Sequence, residues 1–426
     1  MKFSLKDLNT TEKKTFKLHL AYSILEGIVL GVLALNEFVF IKSLNGSSFQ
    51  LGILFQFSML VFVGLIFINE LIRRTKNKVR MLRITALLTR LPLALLFFFP
   101  RSSADLTGDS IYHLLFLAIF LVYYLASPII YPTINQFLKN TYRHENFGRL
   151  YSNATSINKI VMLVVTFAYG WWLDIDPYAF TYIFPFVAAV AIASVHLLSK
   201  IPYQEKDIVI KKDFMQAVKD SMKRMTRLVT QNKAYMHFEL GFMIYGFAFM
   251  STVAVITIYY DEALHLNYSS VAFYKNSYNI LAIILLPFFG KLIGKIDPRR
   301  FAAITFGSML MYILALTLTE YFAASFDIWK LKIYYMMLAY IFFHGIFAAT
   351  MVLLWNIGSA YFGKDEDAGD LQSVHLSLTG IRSLFAPLIG IVFYQLFGFT
   401  ITFGIAIFFL LSAILLMIWS YKRSQI

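Results

Sequence analysis

The sequence predicts an all-α integral membrane protein whose twelve transmembrane helices fall into two six-helix pseudo-repeat halves. Three observations carry that prediction. Of 426 residues, 59% are hydrophobic and only 15% charged, which is more apolar surface than one water-soluble core can hide. Apolar runs long enough to cross ~30 Å of hydrocarbon recur from residue 18 to residue 421. The polar stretches between them alternate between rich and poor in Lys and Arg, as loops on the two sides of a membrane do.

Taken in order, the runs cover 18–41, 50–72, 82–99, 111–138, 153–173, 178–198, 236–259, 271–289, 301–319, 333–357, 372–397 and 400–421. In lipid each run must satisfy its own backbone hydrogen bonds, so helices follow, and runs of ~20 residues exceed the ~10 of a barrel strand. The polar stretch Met1 to Lys17 precedes a run too long for a signal-peptide core and without a small-residue cleavage site, so that run reads as a retained helix. The chain has no cysteine, which removes disulfides, thiolate catalysis and zinc ribbons.

The formal net charge of +14 reads as topology rather than as a nucleic-acid surface, because the basic residues sit between apolar runs and not on one soluble face. With both termini cytoplasmic, 30 of the 38 Lys and Arg fall in cytoplasmic segments, and only Lys42, Arg101, Lys330 and Lys332 in outer loops. The expected location is the inner membrane of a bacterium, with membrane lipids as surroundings. The basic stretch 200–233 is a linker between halves 1–199 and 234–426. Within it Phe214, Val218, Met222, Met225 and Val229 recur at helical spacing, while Lys219, Lys223, Arg224 and Arg227 fall largely elsewhere. That pattern suits a helix on an anionic leaflet and equally a solvated connector.

The halves repeat. Leu44-Asn45-Gly46-Ser47-Ser48 recurs as Leu266-Asn267-Tyr268-Ser269-Ser270 at an offset of 222. Leu150-Tyr151-Ser152 recurs as Leu371-Gln372-Ser373 at an offset of 221, with Ser156 and Ser377 following at equal spacing. Parallel six-helix repeats are the architecture of carriers that rock two halves about a midplane site. Between spans eight and nine stands Gly290-Lys291-Leu292-Ile293-Gly294-Lys295-Ile296-Asp297-Pro298-Arg299-Arg300, which looks like the cytoplasmic Gly-rich basic loop of the major facilitator superfamily. Gly294 stands where that pattern has an acidic residue, and Asp297 where it usually has Gly. Over its whole length the chain resembles that superfamily. The resemblance implies a central cavity lined by spans 1, 4, 7 and 10 and flanked by 2, 5, 8 and 11, with a gating role for Gly290, Gly294, Asp297, Arg299 and Arg300. The Gly-Pro-rich signature that the superfamily's proton-driven drug exporters carry in span five is missing here.

An ionisable group near the bilayer centre costs at least ~2.5 kcal/mol, so each one inside a span needs a partner or a wet cavity. Arg382 lies roughly 16 Å into span eleven at 1.5 Å per residue, as a cavity cation for an anionic solute or as half of a fixed ion pair. Lys159 and Lys275 also fall on would-be flanking helices, where they favour a carboxylated or otherwise anionic solute, or else snorkel to the interfaces. Glu26, near the middle of span one, is the candidate for proton coupling, because a desolvated carboxyl there would respond to a nearby cation. Glu37 and Glu239 lie nearer span ends and read as interfacial. His344 in span ten is a proton relay or a hydrogen-bonded packing residue, and Arg90 in span three reads as a structural pair. Asn135, Asn356 and Gln56, with Asn279, are candidates for solute hydroxyls. The 43 Phe and 26 Tyr mostly report lipid contact and interfacial belts.

These features favour a monomeric secondary carrier, proton-coupled or facilitative, that moves a small and anionic solute by alternating access. Two alternatives stay open: carriage of an amphiphile such as a lipid, lysolipid or drug-like compound, and a membrane-embedded enzyme or non-transporting receptor. No zinc motif, nucleophile elbow or ATP-binding loop occurs, so no catalytic residue, metal or cofactor is expected.

Overall fold

A computed structural model describes residues 8–106, 110–203, 213–363 and 368–423. Ten helical stretches among the described residues are long and apolar enough to cross a membrane. The last of them, Leu371–Arg423, holds two expected spans divided at Gly398, whose φ of 77° and ψ of −177° belong to a backbone region open almost only to glycine. The second expected span is two short helices, Ser48–Leu60 and Leu65–Arg74. The helices are therefore compatible with twelve crossings.

The chain forms two compact units, Met1–Gly46 with Phe67–Phe214, and Ser47–Ile66 with Met215–Ile426. The helix Ser48–Leu60 thus groups with the second unit.

In the first unit, span 1 (Thr10–Lys42) packs along span 5, within the helix His144–Ile175. The reason is local. A Cβ at Gly27 would lie 2.7 Å from the Asn158 carbonyl oxygen, and one at Gly31 would lie 2.7 Å from the Val165 Cβ, so this Gly-x-x-x-Gly face lets two backbones approach without a hydrophobic driving force between them. Side chains then cross the seam: Asn158 Nδ2 donates to the Ser23 carbonyl at 2.8 Å and Thr166 Oγ1 to that of Gly31 at 3.0 Å. Span 3 starts as an α-helix, Lys78–Arg90, and tightens to a 3₁₀-helix at Leu91–Phe98, where Pro92 lacks the amide that would continue the α ladder.

In the second unit, span 7 (Lys233–Ile258, continued by a π-turn Tyr259–Ala263) packs against spans 11 and 12. Span 11 comprises Ala368–Ser383 and then Ala386 onward, broken just before Pro387. Span 10 is shorter than the sequence suggests. Its α-helix runs Tyr335–Leu353 and passes into a π-turn, Leu354–Gly358. Ahead of it, Ser325–Ile328 and Leu331–Tyr334 pair as an antiparallel hairpin with Ile328 opposite Leu331. The hairpin is tied to the start of span 8 (Tyr268–Ile293) by the amide of Lys332, which donates to Ser270 Oγ at 2.9 Å, and that of Tyr334, which donates to the Tyr274 hydroxyl at 2.9 Å. Side-chain hydroxyls that capture loop amides, rather than strand propensity in the loop, explain a hairpin that hydropathy did not indicate.

Candidate functional site

Each unit holds a polar cavity lined in part by residues the sequence reading singled out. In the first unit a cavity of about 260 Å³ is lined by His19, Tyr22, Glu26, Tyr131, Asn135 and Asn158, among others. Glu26 does not face it as a lone carboxyl. Arg90 Nη1 and Nη2 reach its two oxygens at 3.3 and 3.4 Å, and Ser194 Oγ lies 3.0 Å from Oε2. Both ends of the pair are buried, and the Tyr123 ring covers the guanidinium at 5.5 Å. The cation near Glu26 is Arg90, and the two form a buried ion pair. Asn135 does line the cavity, whereas Lys159, one residue after Asn158, is half-buried and is not part of the lining.

In the second unit a cavity of about 170 Å³ gathers Lys275, Tyr260, Tyr278, Tyr312, Tyr340 and His344, with Thr252, Thr257, Phe55 and Phe249. The His344 ring is sandwiched between Tyr278 at 3.7 Å and Tyr312 at 4.4 Å, both nearly parallel to it. Tyr260 donates to the Tyr340 hydroxyl at 2.8 Å. His344 Nδ1 is buried with no hydrogen-bond partner among the described residues. The lining carries an ammonium, four phenols and two threonine hydroxyls but no carboxylate. The reading of the tyrosines as mainly interfacial therefore missed a cluster, because aromatic residues on different helices, from Tyr260 to His344, meet only through helix packing.

Gln56 does not join this cavity. Gln56 Nε2 donates to the Leu384 carbonyl at 2.8 Å, beside the break in span 11, and the side chain of Asn356 lies outside the described residues. Asn279 Nδ2 donates back to the Lys275 carbonyl at 2.7 Å.

Arg382 is 3% exposed. It lies flush on Gly246 of span 7 and donates from Nη1 to the Phe242 carbonyl at 2.6 Å. No carboxylate among the described residues comes within ion-pair distance, and its Nε has no acceptor. Glu239, expected at an interface, is also 3% exposed and pairs with His375, whose Nδ1 stands 3.1 Å from both carboxylate oxygens. The His375 ring is wedged edge-on between Phe242 at 4.5 Å and Trp355 at 4.9 Å. His375 went unnoticed in the sequence, although His375, Thr379 and Arg382 share the i, i+4, i+7 spacing of one helix face and all three are buried.

The Gly-rich basic loop forms a local staple. Asp297 caps the helix Pro298–Tyr321 and accepts from the Arg299 amide at 2.8 Å and from Arg299 Nη2 at 2.8 Å. Arg299 Nη1 then donates to the Ser420 carbonyl at 2.8 Å, and Arg300 sits over the Tyr421 ring at 5.2 Å. Burial alone would push the Asp297 carboxyl up, but the Arg299 hydrogen bonds and the charges of Arg299 and Arg300 outweigh it and hold the group below its ordinary range. A Cβ at Gly290 or Gly294 would meet nothing within 4 Å. The first unit repeats the tie, with Arg83 Nε donating to Ser199 Oγ at 2.8 Å.

Helices long enough to span a bilayer, arranged in two units that each enclose a polar cavity, define a polytopic membrane carrier. The family model described as Major Facilitator Superfamily matches residues 20–329, and the chain belongs to that superfamily. Among solved structures it is similar to the nucleoside transporter NupG, with a TM-score of 0.72 and 9% identity over 96% of this chain and 100% of that one. It is also similar to an auto-inhibited POT family peptide transporter, with a TM-score of 0.69 and 12% identity over 96% of each chain. A third is a POT family transporter in complex with 5-aminolevulinic acid, with a TM-score of 0.66 and 11% identity over 95% of this chain and 94% of that one. No curated protein sequence matches significantly. At such identities the neighbours speak to the fold. The family and these neighbours are transporters rather than enzymes, so the chain is a multi-pass membrane transporter.

Proposed function

We propose that this transporter carries a small anionic solute by alternating access, and that the tyrosine-lined cavity of the second unit recognises it. The observation that carries the reading is the donor excess of that lining: the Lys275 ammonium, the hydroxyls of Tyr260, Tyr278, Tyr312 and Tyr340, and no carboxylate. A lining of this composition suits an occupant that brings acceptors and a negative charge. The volume of about 170 Å³ sets the size class, since a cavity of ~150 Å³ holds a benzene ring. A single ring or short chain bearing a carboxylate or phosphate fits, and the aromatic walls suit a planar body.

The amphiphile reading has its own observation. A cavity of about 400 Å³ in the first unit, lined by Pro92, Leu95, Phe98, Phe99 and Leu115 among others, is almost wholly apolar, which suits an acyl chain. Thermal unfolding of the purified protein separates the two, because a ligand that binds only the folded state raises its apparent stability. Benzoate or inorganic phosphate is expected to raise the transition, and Lys275→Gln to weaken that effect about tenfold or more, the worth of a hydrogen bond to a charged group. A shift with lysophosphatidylcholine or uridine but none with either anion replaces the anionic reading.

A further inference from the structure

The connection between spans 9 and 10 is a two-faced hairpin. Residues two apart on a strand, and residues directly opposite across an antiparallel pair, share a face. Phe326, Ile328, Leu331 and Ile333 therefore form an apolar face, and Ser325, Asp327, Lys332 and Tyr334 a polar one. The second strand turns its polar side chains onto the protein, where the Lys332 ammonium and the Tyr334 hydroxyl donate to the Leu264 carbonyl at 3.3 and 3.1 Å. The apolar face is buried at the base, at Ile333, and opens at the tip, where Ile328 is 49% exposed. We propose that this hairpin is an interfacial membrane anchor, with Ile328 and Trp329 seated in the headgroup layer of the leaflet that borders the span 9–10 connection.

Trp329 carries much of the case. It is 98% exposed, more than any other large apolar side chain among the described residues, and its φ of 56° lies in the left-handed region. A two-residue hairpin loop asks for positive φ, which Gly, Asn or Asp normally supplies. A bulky residue there is a backbone outlier. At such exposure the indole packs on almost nothing in the chain, so no burial within the fold offsets the strain, and retained strain of this kind points to function. An indole has an apolar body and one N–H donor, which suits the boundary between acyl chains and headgroups. Lys330 beside it is exposed, and its ammonium suits a lipid phosphate.

Span 8 sets the height of the hairpin. Asn267 Nδ2 donates to the Lys330 carbonyl at 2.9 Å, the Lys332 amide to Ser270 Oγ at 2.9 Å, and the Tyr274 hydroxyl to the Lys332 carbonyl at 3.1 Å. Asn267 and Tyr274 are about 10 Å apart along the helix at 1.5 Å per residue. The second strand thus lies along the first two turns of span 8 instead of standing off into water. Beside its base are the exposed rings of Tyr321 and Phe322, at the end of span 9, and of Tyr335, at the start of span 10. The lipid-facing surface of those spans runs on into the hairpin. Depth has a limit too. Ser325–Ile328 is an edge strand of a two-stranded sheet, and backbone groups on such an edge cannot face hydrocarbon. The hydrated headgroup layer satisfies them and still takes up an indole.

The test uses the full-length protein in vesicles of phosphatidylcholine and phosphatidylglycerol. Trp329 is one of five tryptophans, so its emission is taken as the difference between wild type and Trp329→Phe. That emission is expected to lose most of its intensity to phospholipid brominated near the head of the acyl chains, and little to aqueous iodide. Because the chain has no cysteine, Ile328→Cys supplies a second reporter that leaves Trp329 in place. A nitroxide attached there is expected to collide more with oxygen, which partitions into lipid, than with a water-soluble nickel chelate. Strong quenching by iodide with no effect of brominated lipid puts the tip in water and overturns the anchor. Indifference to both quenchers, with a nitroxide that neither collider reaches, means that a second copy or another protein covers the tip, and overturns it equally.

Discussion

Gly246 on span 7 and the guanidinium of Arg382 on span 11 occupy one space, because a Cβ added at residue 246 would overlap the guanidinium carbon and both terminal nitrogens. The absent side chain lets a cation lie flat on a helix backbone and reach the Phe242 carbonyl. Gly246→Ala must move either the helix or the arginine. The expected cost is that of overpacking, about 1–3 kcal/mol, read as a lower unfolding temperature in detergent. Gly307→Ala, where a Cβ would meet nothing within 4 Å, is the matched control and should be neutral or gain up to about 1 kcal/mol.

The Glu26–Arg90 pair behaves as a unit. Glu26→Leu leaves a guanidinium buried and unpaired, a loss of about 3–5 kcal/mol, whereas replacing both partners by apolar residues of similar volume is often neutral. Denaturant or thermal unfolding of Glu26→Leu, Arg90→Met and the double variant should therefore show two destabilised singles and a recovered double. Additive losses would mean that Arg90 has another anion to satisfy.

Asp297 predicts an acid limb in the stability profile. Its carboxyl is held below the ordinary range by Arg299 and Arg300, so the charged form is favoured in the folded state. That contribution is fully present above the unfolded-state value and is lost as pH falls through the folded one. Asp297→Asn keeps a helix cap of equal quality but removes the charge. Unfolding temperatures recorded from neutral pH downward should fall less steeply in the variant than in wild type.

Gln56 offers a test of the break in span 11. Its amide donates to the Leu384 carbonyl, close to the place where Pro387 cannot continue the helix. Gln56→Leu leaves that carbonyl with one donor fewer, at a cost of about 1 kcal/mol, and unfolding measurements would register it. A cavity residue would instead lose solute affinity with stability unchanged.

Much of this architecture was legible in the sequence because hydropathy and positive charge act locally. The spans follow from runs of neighbouring apolar residues. What escaped depends on packing between distant segments. Glu239 looked interfacial from its place near a span end, yet His375, 136 positions later, is what buries and pairs it. Glu26 looked solitary until Arg90, 64 positions away, came opposite. Helical phase held one unread clue, since His375, Thr379 and Arg382 share a face.

Gly398 bears on how the protein is made as well as on how it is built. No charged residue lies between Arg382 and Lys422, and the reversal between the two spans in that interval is marked by this single glycine. With no polar loop to pause on, the membrane-insertion machinery would receive both helices as one hairpin, already folded back on itself. A bulky residue at position 398 should therefore be felt during synthesis, as a smaller yield of integrated protein, before it is felt as an unfolding temperature.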